Sequence, residues 1–118
     1  MISTSIIGAI IGHFVGDFLL QDGRMARLKR TDSLVCAWHC SIWTMAVCTF
    51  SECWALPVIS LLWVSHFFLD RSRFVEWFMD NTGKRGFRTH PMFVPWSAIV
   101  HDQTWHMVSI WLIWRFVV

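Results

Sequence analysis

Three pairs of ionisable side chains recur along this chain with the same four-residue spacing. They are His13 with Asp17, His66 with Asp70, and Asp102 with His106. In a helix, residues four apart lie on one face, one turn from each other. Imidazole nitrogens and carboxylate oxygens are ligands that Zn, Mn and Fe use in proteins. The three pairs therefore predict a set of metal ligands.

The composition of the chain indicates which elements carry these pairs. Of the 118 residues, 55% are hydrophobic and 15% are charged. This composition excludes a disordered chain, a disulfide-stapled secreted domain and an ordinary cytosolic enzyme. It predicts a polytopic membrane protein, with a buried-helix subunit of a larger assembly as the alternative.

Four apolar segments are long enough to suggest membrane helices, which need about 20 mostly apolar residues each. We predict an all-α fold with four transmembrane helices in one bundle, over residues 3–20, 33–50, 54–69 and 97–118. Apolar residues interrupted by Glu76 predict a short interfacial helix over residues 73–80, between helices three and four. We expect residues 1–118 to form a single domain.

The distribution of basic residues predicts the orientation of the chain. Of the 10 Lys and Arg residues, all but Arg115 lie in the two long connections of the predicted bundle. Because basic loops stay in the cytoplasm, we expect an inner-membrane location with both termini outside the cytoplasm. The same cations favour membrane lipids as partners, and we expect no nucleic-acid partner.

This topology brings the three pairs to one depth, near the cytoplasmic ends of their helices. His39 in helix two lies at the same depth. Facing helices of a bundle can build sites for two metal ions from such groups. The predicted cofactor is therefore divalent Zn, Mn or Fe, as one ion or as a dinuclear site. The alternative is structural, because His and Asp four residues apart can neutralise each other through charge-assisted hydrogen bonds.

A stripe of small residues runs along helix one, at Gly8, Gly12 and Gly16. Such a stripe lets two helix backbones approach closely. It predicts either tight packing of helix one within the chain or a homo-oligomer formed through this face, and the sequence leaves both open.

The polar motifs of this chain occur in a specific order. A His-x-x-x-Asp-Phe-x-x-Gln motif is followed by a Lys, a His, a His-x-x-x-Asp and an Asp-Gln-x-x-His. These positions are His13, Asp17, Phe18, Gln21, Lys29, His39, His66, Asp70, Asp102, Gln103 and His106. The combination resembles domain-of-unknown-function family 3307, small bacterial and phage membrane proteins, over nearly the whole chain. The resemblance implies a helical membrane fold and supplies no activity.

A looser similarity, in His and Asp placement only, is to bacterial inner-membrane metal-dependent hydrolases, and it favours hydrolysis. The leading hypothesis is a metal-dependent hydrolase of a phosphate ester or lipid-linked substrate at the cytoplasmic headgroup level. The three His–Asp pairs would be metal ligands. The other expected roles are a ligand or general base at His39, orientation of water or substrate by Gln21 and Gln103, and attraction of the anionic headgroup by Arg24 and Lys29.

Two other functions use the same polar residues. In the first, the chain is a non-enzymatic membrane accessory or phage exclusion protein, and the polar residues form a structural metal site or a buried charge network. In the second they form a proton or ion path. We rank the path last, because the outer half of the predicted bundle is nearly all apolar.

Overall fold

A computed structural model describes residues 5–118, and this part of the chain is helical throughout apart from short turns. The helices are α1 (Ile6–Phe14), a π-helical segment (Val15–Leu19), α2 (Gly23–Leu28), α3 (Ser33–Ser51), α4 (Leu56–Arg71), α5 (Phe74–Asn81), α6 (Arg85–Thr89) and α7 (Trp96–Phe116). The predicted all-α class is confirmed. The predicted start of helix one at residue 3 lies outside the described residues.

Side-chain caps determine where several helices begin. Ser5 accepts a hydrogen bond from the amide of Gly8 at 3.0 Å, at the start of α1. Asp22 caps α2 and Asp32 caps α3 in the same way. Such caps satisfy amides that have no partner within the helix. The two aspartates in the first long connection therefore start helices.

The prediction of four transmembrane helices is wrong. Within residues 5–118, only α3 is both long enough and apolar enough to cross a membrane, and core helices of soluble proteins meet the same criteria. Helix α4 has 16 residues, fewer than the length that a span needs. Helix α7 has 21 residues, but its polar residues, which include Asp102 and His106, lower its mean hydropathy.

Four helical segments nevertheless surround a common centre. Segment α1 with its π-helical continuation packs on α3, α3 on α4, α4 on α7, and α7 on α1. The predicted interfacial helix exists as α5, but it packs against the bundle: Val75 and Met79 are buried with Leu69 of α4, against Trp105 of α7.

The glycine stripe, which runs from α1 into the π-helical segment, lies directly on α3 of the same chain. A Cβ at Gly12 would lie 2.6 Å from the Cα of Val47, and one at Gly16 would lie 2.6 Å from the Trp43 ring. A Cβ at Gly8 would overlap the backbone of Phe50. The stripe is therefore used for packing within the chain, and a homo-oligomer is left as a prediction.

Two apolar clusters leave a polar layer between them. The first contains Trp43, Val47, Leu62 and Ile110 with their neighbours. The second is the α4–α5–α7 cluster around Met79. Nine polar or charged residues among residues 5–118 are buried: His13, Asp17, His39, Thr44, Ser51, His66, Asp70, Ser97 and His106.

Candidate metal centre

Four polar side chains meet at the centre of the bundle, and we call them the quartet: Asp17, His39, His66 and Asp70. The Nε2 atoms of His39 and His66 are 3.0 Å apart. Asp17 Oδ1 is 3.1 Å from the first of these nitrogens and 3.3 Å from the second. Asp70 Oδ2 is 3.2 Å and 3.1 Å from the same two atoms.

These distances fit four ligands around one ion. Ligands about 2.0–2.1 Å from Zn in a tetrahedral site lie about 3.3–3.4 Å from one another. The quartet distances of 3.0 to 3.3 Å are close to that separation. Asp17 Oδ1 is buried and lacks a hydrogen bond of good geometry among the described residues. Buried polar atoms normally have a partner, and a cation bound by the quartet would supply one.

A second group, which we call the trio, shares one residue with the quartet. It consists of Asp70, Asp102 and His106. His106 Nε2 lies 3.2 Å from Asp70 Oδ1 and 3.4 Å from Asp102 Oδ2. Asp70 therefore directs one oxygen into each group, as a carboxylate between two sites would.

The π-helical segment positions Asp17. The amide of Leu20 donates to the carbonyl of Val15, five residues earlier, at 3.0 Å. Single π turns inside helices are frequent at functional sites. His13 lies on α1 just before this turn, and its Nε2 is 3.7 Å from Asp17 Oδ2.

His13 belongs to neither group, and it links Trp43 to Gln103 through hydrogen bonds. The indole N–H of Trp43 donates to His13 Nδ1 at 3.0 Å, so the ring proton of a neutral His13 is on Nε2. That nitrogen lies 2.5 Å from Gln103 Oε1, which accepts the proton. The Gln103 amide nitrogen then faces Asp17 Oδ2 at 3.4 Å. Burial lowers the pKa of His13 to about 4, which agrees with a neutral ring.

The two histidines of the quartet have no hydrogen bond at Nδ1 among the described residues, and the ring of His66 is held by stacking. The Nδ1 atoms of His39 and His66 are buried without a partner. The Trp43 indole stacks on the His66 ring with a centroid distance of 3.9 Å and an angle of 13°. Trp43 thus contacts the quartet with its ring face and His13 with its N–H.

Asp70 and His106 of the centre shift each other's pKa towards the charged forms. Burial would raise the pKa of Asp70, but the surrounding imidazoles, above all that of His66, hold it well below its usual value. Burial likewise opposes the charge on His106, yet Asp102 and Asp70 raise the pKa of His106 to about 10. Carboxylates at this density favour a bound cation.

Lys29 is the lysine nearest to the quartet. Its Nζ lies 3.0 Å from Asp70 Oδ2, and only 13% of its side chain is exposed. Burial opposes its charge, but Asp70 and Asp17 outweigh that effect and raise the pKa of Lys29. Arg24, the other cation predicted to attract a headgroup, is exposed on α2 beside a separate depression that Trp38 also lines.

A cavity of about 310 Å³ opens beside the centre. Its lining includes Asp17 of the quartet, Asp102 of the trio and both predicted glutamines, Gln21 and Gln103. Lys29 also lines it. We call this space the site cavity. The structure therefore brings together all the predicted site residues except Arg24, with His13 set behind Gln103.

The chain was also compared with known proteins. A family model described as "Protein of unknown function (DUF3307)" matches residues 6–118. The chain belongs to this family. The family predicted from the order of the His, Asp and Gln motifs is thereby confirmed, while the bacterial or phage source stays a prediction. No curated protein and no solved structure gives a match.

Three further residues of this family member contact the centre or its cavity, and the sequence did not single them out for a role there. Trp43 is one of 9 tryptophans, and helical spacing alone does not distinguish it from an apolar packing residue. Arg30 and Glu76 form an ion pair between the α2–α3 connection and α5, and both line the site cavity. Their separation along the chain hides this contact from any local pattern.

Proposed function

We propose that this chain is a divalent-metal-dependent hydrolase that acts on a phosphate ester in the site cavity. The buried His and Asp groups are positioned to hold a metal ion. The single observation that carries the proposal is the quartet, in which the two histidine nitrogens lie 3.0 Å from each other and 3.1 to 3.3 Å from the carboxylate oxygens, next to a cavity lined by cationic and amide side chains. Zn, Mn and Fe all use such ligands.

The quartet would hold the first ion, so His39 is assigned as a ligand rather than as a base. The trio would hold a second ion through the shared carboxylate of Asp70. A divalent metal supplies Lewis-acid activation of water and polarises a phosphoryl oxygen.

Other residues of the chain would orient the reactants. Gln103 faces both Asp17 and Asp102 with its amide nitrogen. His13 and Trp43 hold that amide in one orientation, because its oxygen accepts from His13. Gln21 has a buried oxygen without a partner and lines the cavity, so it is free to accept from a water or a substrate hydroxyl. Asp102 Oδ1 is buried without a partner and is assigned as the acceptor of the proton from the attacking water.

The test is elemental analysis of protein purified in metal-replete buffer, together with hydrolysis of p-nitrophenyl phosphate. The wild type should contain stoichiometric metal and release nitrophenol. Asp17→Asn should lose both. Asp22→Asn is the matched control, since Asn also caps a helix well and Asp22 lies at the start of α2. A wild type without metal would refute the proposal.

One observation favours a non-enzymatic alternative. The Lys29 ammonium lies 3.0 Å from Asp70 Oδ2, an atom of the quartet, and supplies positive charge where a metal would. In this alternative the centre is a buried charge network in an accessory protein. Lys29→Met would then unfold the chain or strongly destabilise it. A metal-dependent enzyme would instead keep its fold with metal present.

We also propose that the chain associates with a lipid membrane. Large apolar side chains are exposed on several helices: Ile7 is 68% exposed, Leu19 77%, Leu56 73% and Phe116 71%. Exposed apolar surface of this extent marks interaction sites, and its distribution over different helices suits lipid better than one protein partner. Flotation with phosphatidylcholine vesicles tests this. Protein that stays monodisperse without detergent and does not float would contradict it.

A further inference from the structure

The charged side chains around the site cavity determine which substrate it can hold. Lys29 and Arg30 contribute positive charge to the lining, while Asp17, Asp102 and Glu76 contribute negative charge. Two of these carboxylates belong to the quartet or the trio, and a cation there would neutralise them. Only Glu76 then opposes the two basic residues.

We propose that Arg30 binds the phosphate group of the substrate in this cavity, and that Glu76 competes with that phosphate for Arg30. This inference rests on the proposed function and adds the substrate group that the site recognises. Arg binds phosphate well because its planar guanidinium donates two parallel hydrogen bonds. Arg30 Nη2 now donates to Glu76 Oε1, and the other oxygen, Glu76 Oε2, is buried without a partner.

Contacts with the rest of the fold hold the backbone near both members of this ion pair. Arg71 Nη1 donates to the carbonyl of Arg30 at 2.9 Å, and Arg71 Nε donates to Ser33 Oγ at 3.0 Å. Glu76 follows Val75, which is 3% exposed and anchors α5 against the bundle. The side chain of Arg30 is itself 40% exposed, so it can exchange Glu76 for another anion.

The apolar part of the cavity lining indicates what the rest of the substrate is. Apolar side chains also line it, namely Phe18, Val75 and Ile99, with Ala26 and Ala98. Ligand cavities commonly combine an apolar lining with a few polar groups that fix orientation. The substrate class is therefore a phosphate monoester with an apolar group next to the phosphate.

The first experiment measures binding of inorganic phosphate by calorimetry, to protein with and without divalent metal. Arg30→Gln should weaken binding to the metal-loaded protein about tenfold or more, as expected for a lost hydrogen bond between charged groups. Glu76→Gln should strengthen it. Arg27→Gln is the matched control, because Arg27 is an exposed arginine of α2 outside the cavity lining and should leave the affinity unchanged.

The second experiment distinguishes the source of the phosphate. The two probes are octyl phosphate in solution and phosphatidylcholine vesicles with or without phosphatidic acid. Arg30-dependent binding of octyl phosphate indicates a soluble ester, and Arg30-dependent binding confined to the vesicles with phosphatidic acid indicates a lipid headgroup. Either result supports the proposal.

Failure of this inference is distinguishable from failure of the proposed function. If the quartet binds metal but Arg30→Gln and wild type bind phosphate equally, or if neither binds any probe, the phosphate site is refuted and the metal site stands. If the protein binds no metal while Arg30-dependent phosphate binding persists, the hydrolase is refuted and the anion site stands. Circular dichroism of each variant verifies that the helices have formed.

Discussion

Asp70 is the residue on which the two groups of the centre depend. Its Oδ2 faces both histidines of the quartet, while its Oδ1 faces His106 of the trio. Lys29 contacts the same Oδ2 atom. A single carboxylate in this position connects the two candidate ligand groups with the Lys29 ammonium.

Asp70→Asn should therefore abolish metal binding while the helices still form. The amide keeps the size of the carboxylate but removes its charge and one acceptor oxygen. Metal per protein, measured by elemental analysis, should fall to the level of a metal-stripped sample. Ser60→Ala is the control in the same helix, because Ser60 is exposed and bonds only to the carbonyl of Leu56. Full metal content in Asp70→Asn would remove Asp70 from the set of ligands.

Trp43→Phe should separate the two roles of Trp43. Phenylalanine preserves a ring beside His66 but removes the N–H that donates to His13. Leaving a buried acceptor without its partner costs about 1–3 kcal/mol, so the free energy of unfolding in urea should fall by about that amount. Trp63→Phe is the matched control, since Trp63 donates to the exposed Ser41 and its loss should cost less. If the two substitutions lower the free energy of unfolding equally, the hydrogen bond from Trp43 to His13 contributes no more to stability than the one from Trp63 to Ser41.

At the scale of elements, the close approach of α1 to α3 sets the position of Asp17. The α1 glycines lie against the backbone of α3, and the π-helical segment that follows turns Asp17 towards His39. Backbone contact of this kind has no side chain that can adjust. The distance between these two helices is therefore fixed by the size of the residues in the stripe.

Gly12→Ala should destabilise the fold. The new Cβ would lie 2.6 Å from Val47 Cα, so α1 and α3 must move apart. Overpacking of this kind costs about 1–3 kcal/mol, and the change should appear as a lower urea midpoint and a weaker metal affinity. Gly86→Ala serves as the control, because a Cβ at Gly86 has nothing within 4 Å. A Gly12→Ala variant as stable as the wild type would mean that α1 does not pack this closely.

For the molecule as a whole, the centre links helices that meet only in the tertiary structure. The quartet joins the π-helical segment, α3 and α4, and the trio adds α7. A ligand that binds the folded chain and not the unfolded one stabilises it by mass action. A metal ion at this position would therefore stabilise the whole bundle.

Divalent metal at about 100 times its Kd should raise the free energy of unfolding by about 2.7 kcal/mol. Chemical unfolding with and without Zn or Mn measures this, and a chelator should reverse the gain. His66→Gln should lose it, because His66 is fully buried within the quartet. The control is Thr104→Val, a change of an exposed residue on α7, which should keep the metal-dependent increment. If His66→Gln keeps the metal-dependent increase in the free energy of unfolding, the metal binds at a site other than the quartet.

The sequence by itself determined the helical class, the candidate ligand pairs and the family. These properties are local: four-residue spacing places two side chains on one helix face whatever that helix packs against. The same local pattern overestimated the number of membrane spans, because it did not give the helix bounds: α4 has only 16 residues, and the polar residues of α7 lower its mean hydropathy.

Only the tertiary structure decided which side chains meet. His39 joins Asp17, His66 and Asp70, whereas His13 lies behind them and binds Gln103. Lys29 turns inward to the same centre. These outcomes depend on the rotation of each helix about its axis and on the π turn at Asp17, which arise from contacts between residues far apart in the chain. Spacing along one helix does not tell how the neighbouring helices are rotated about their axes. The atoms of the quartet could therefore be assigned only from the packed tertiary structure.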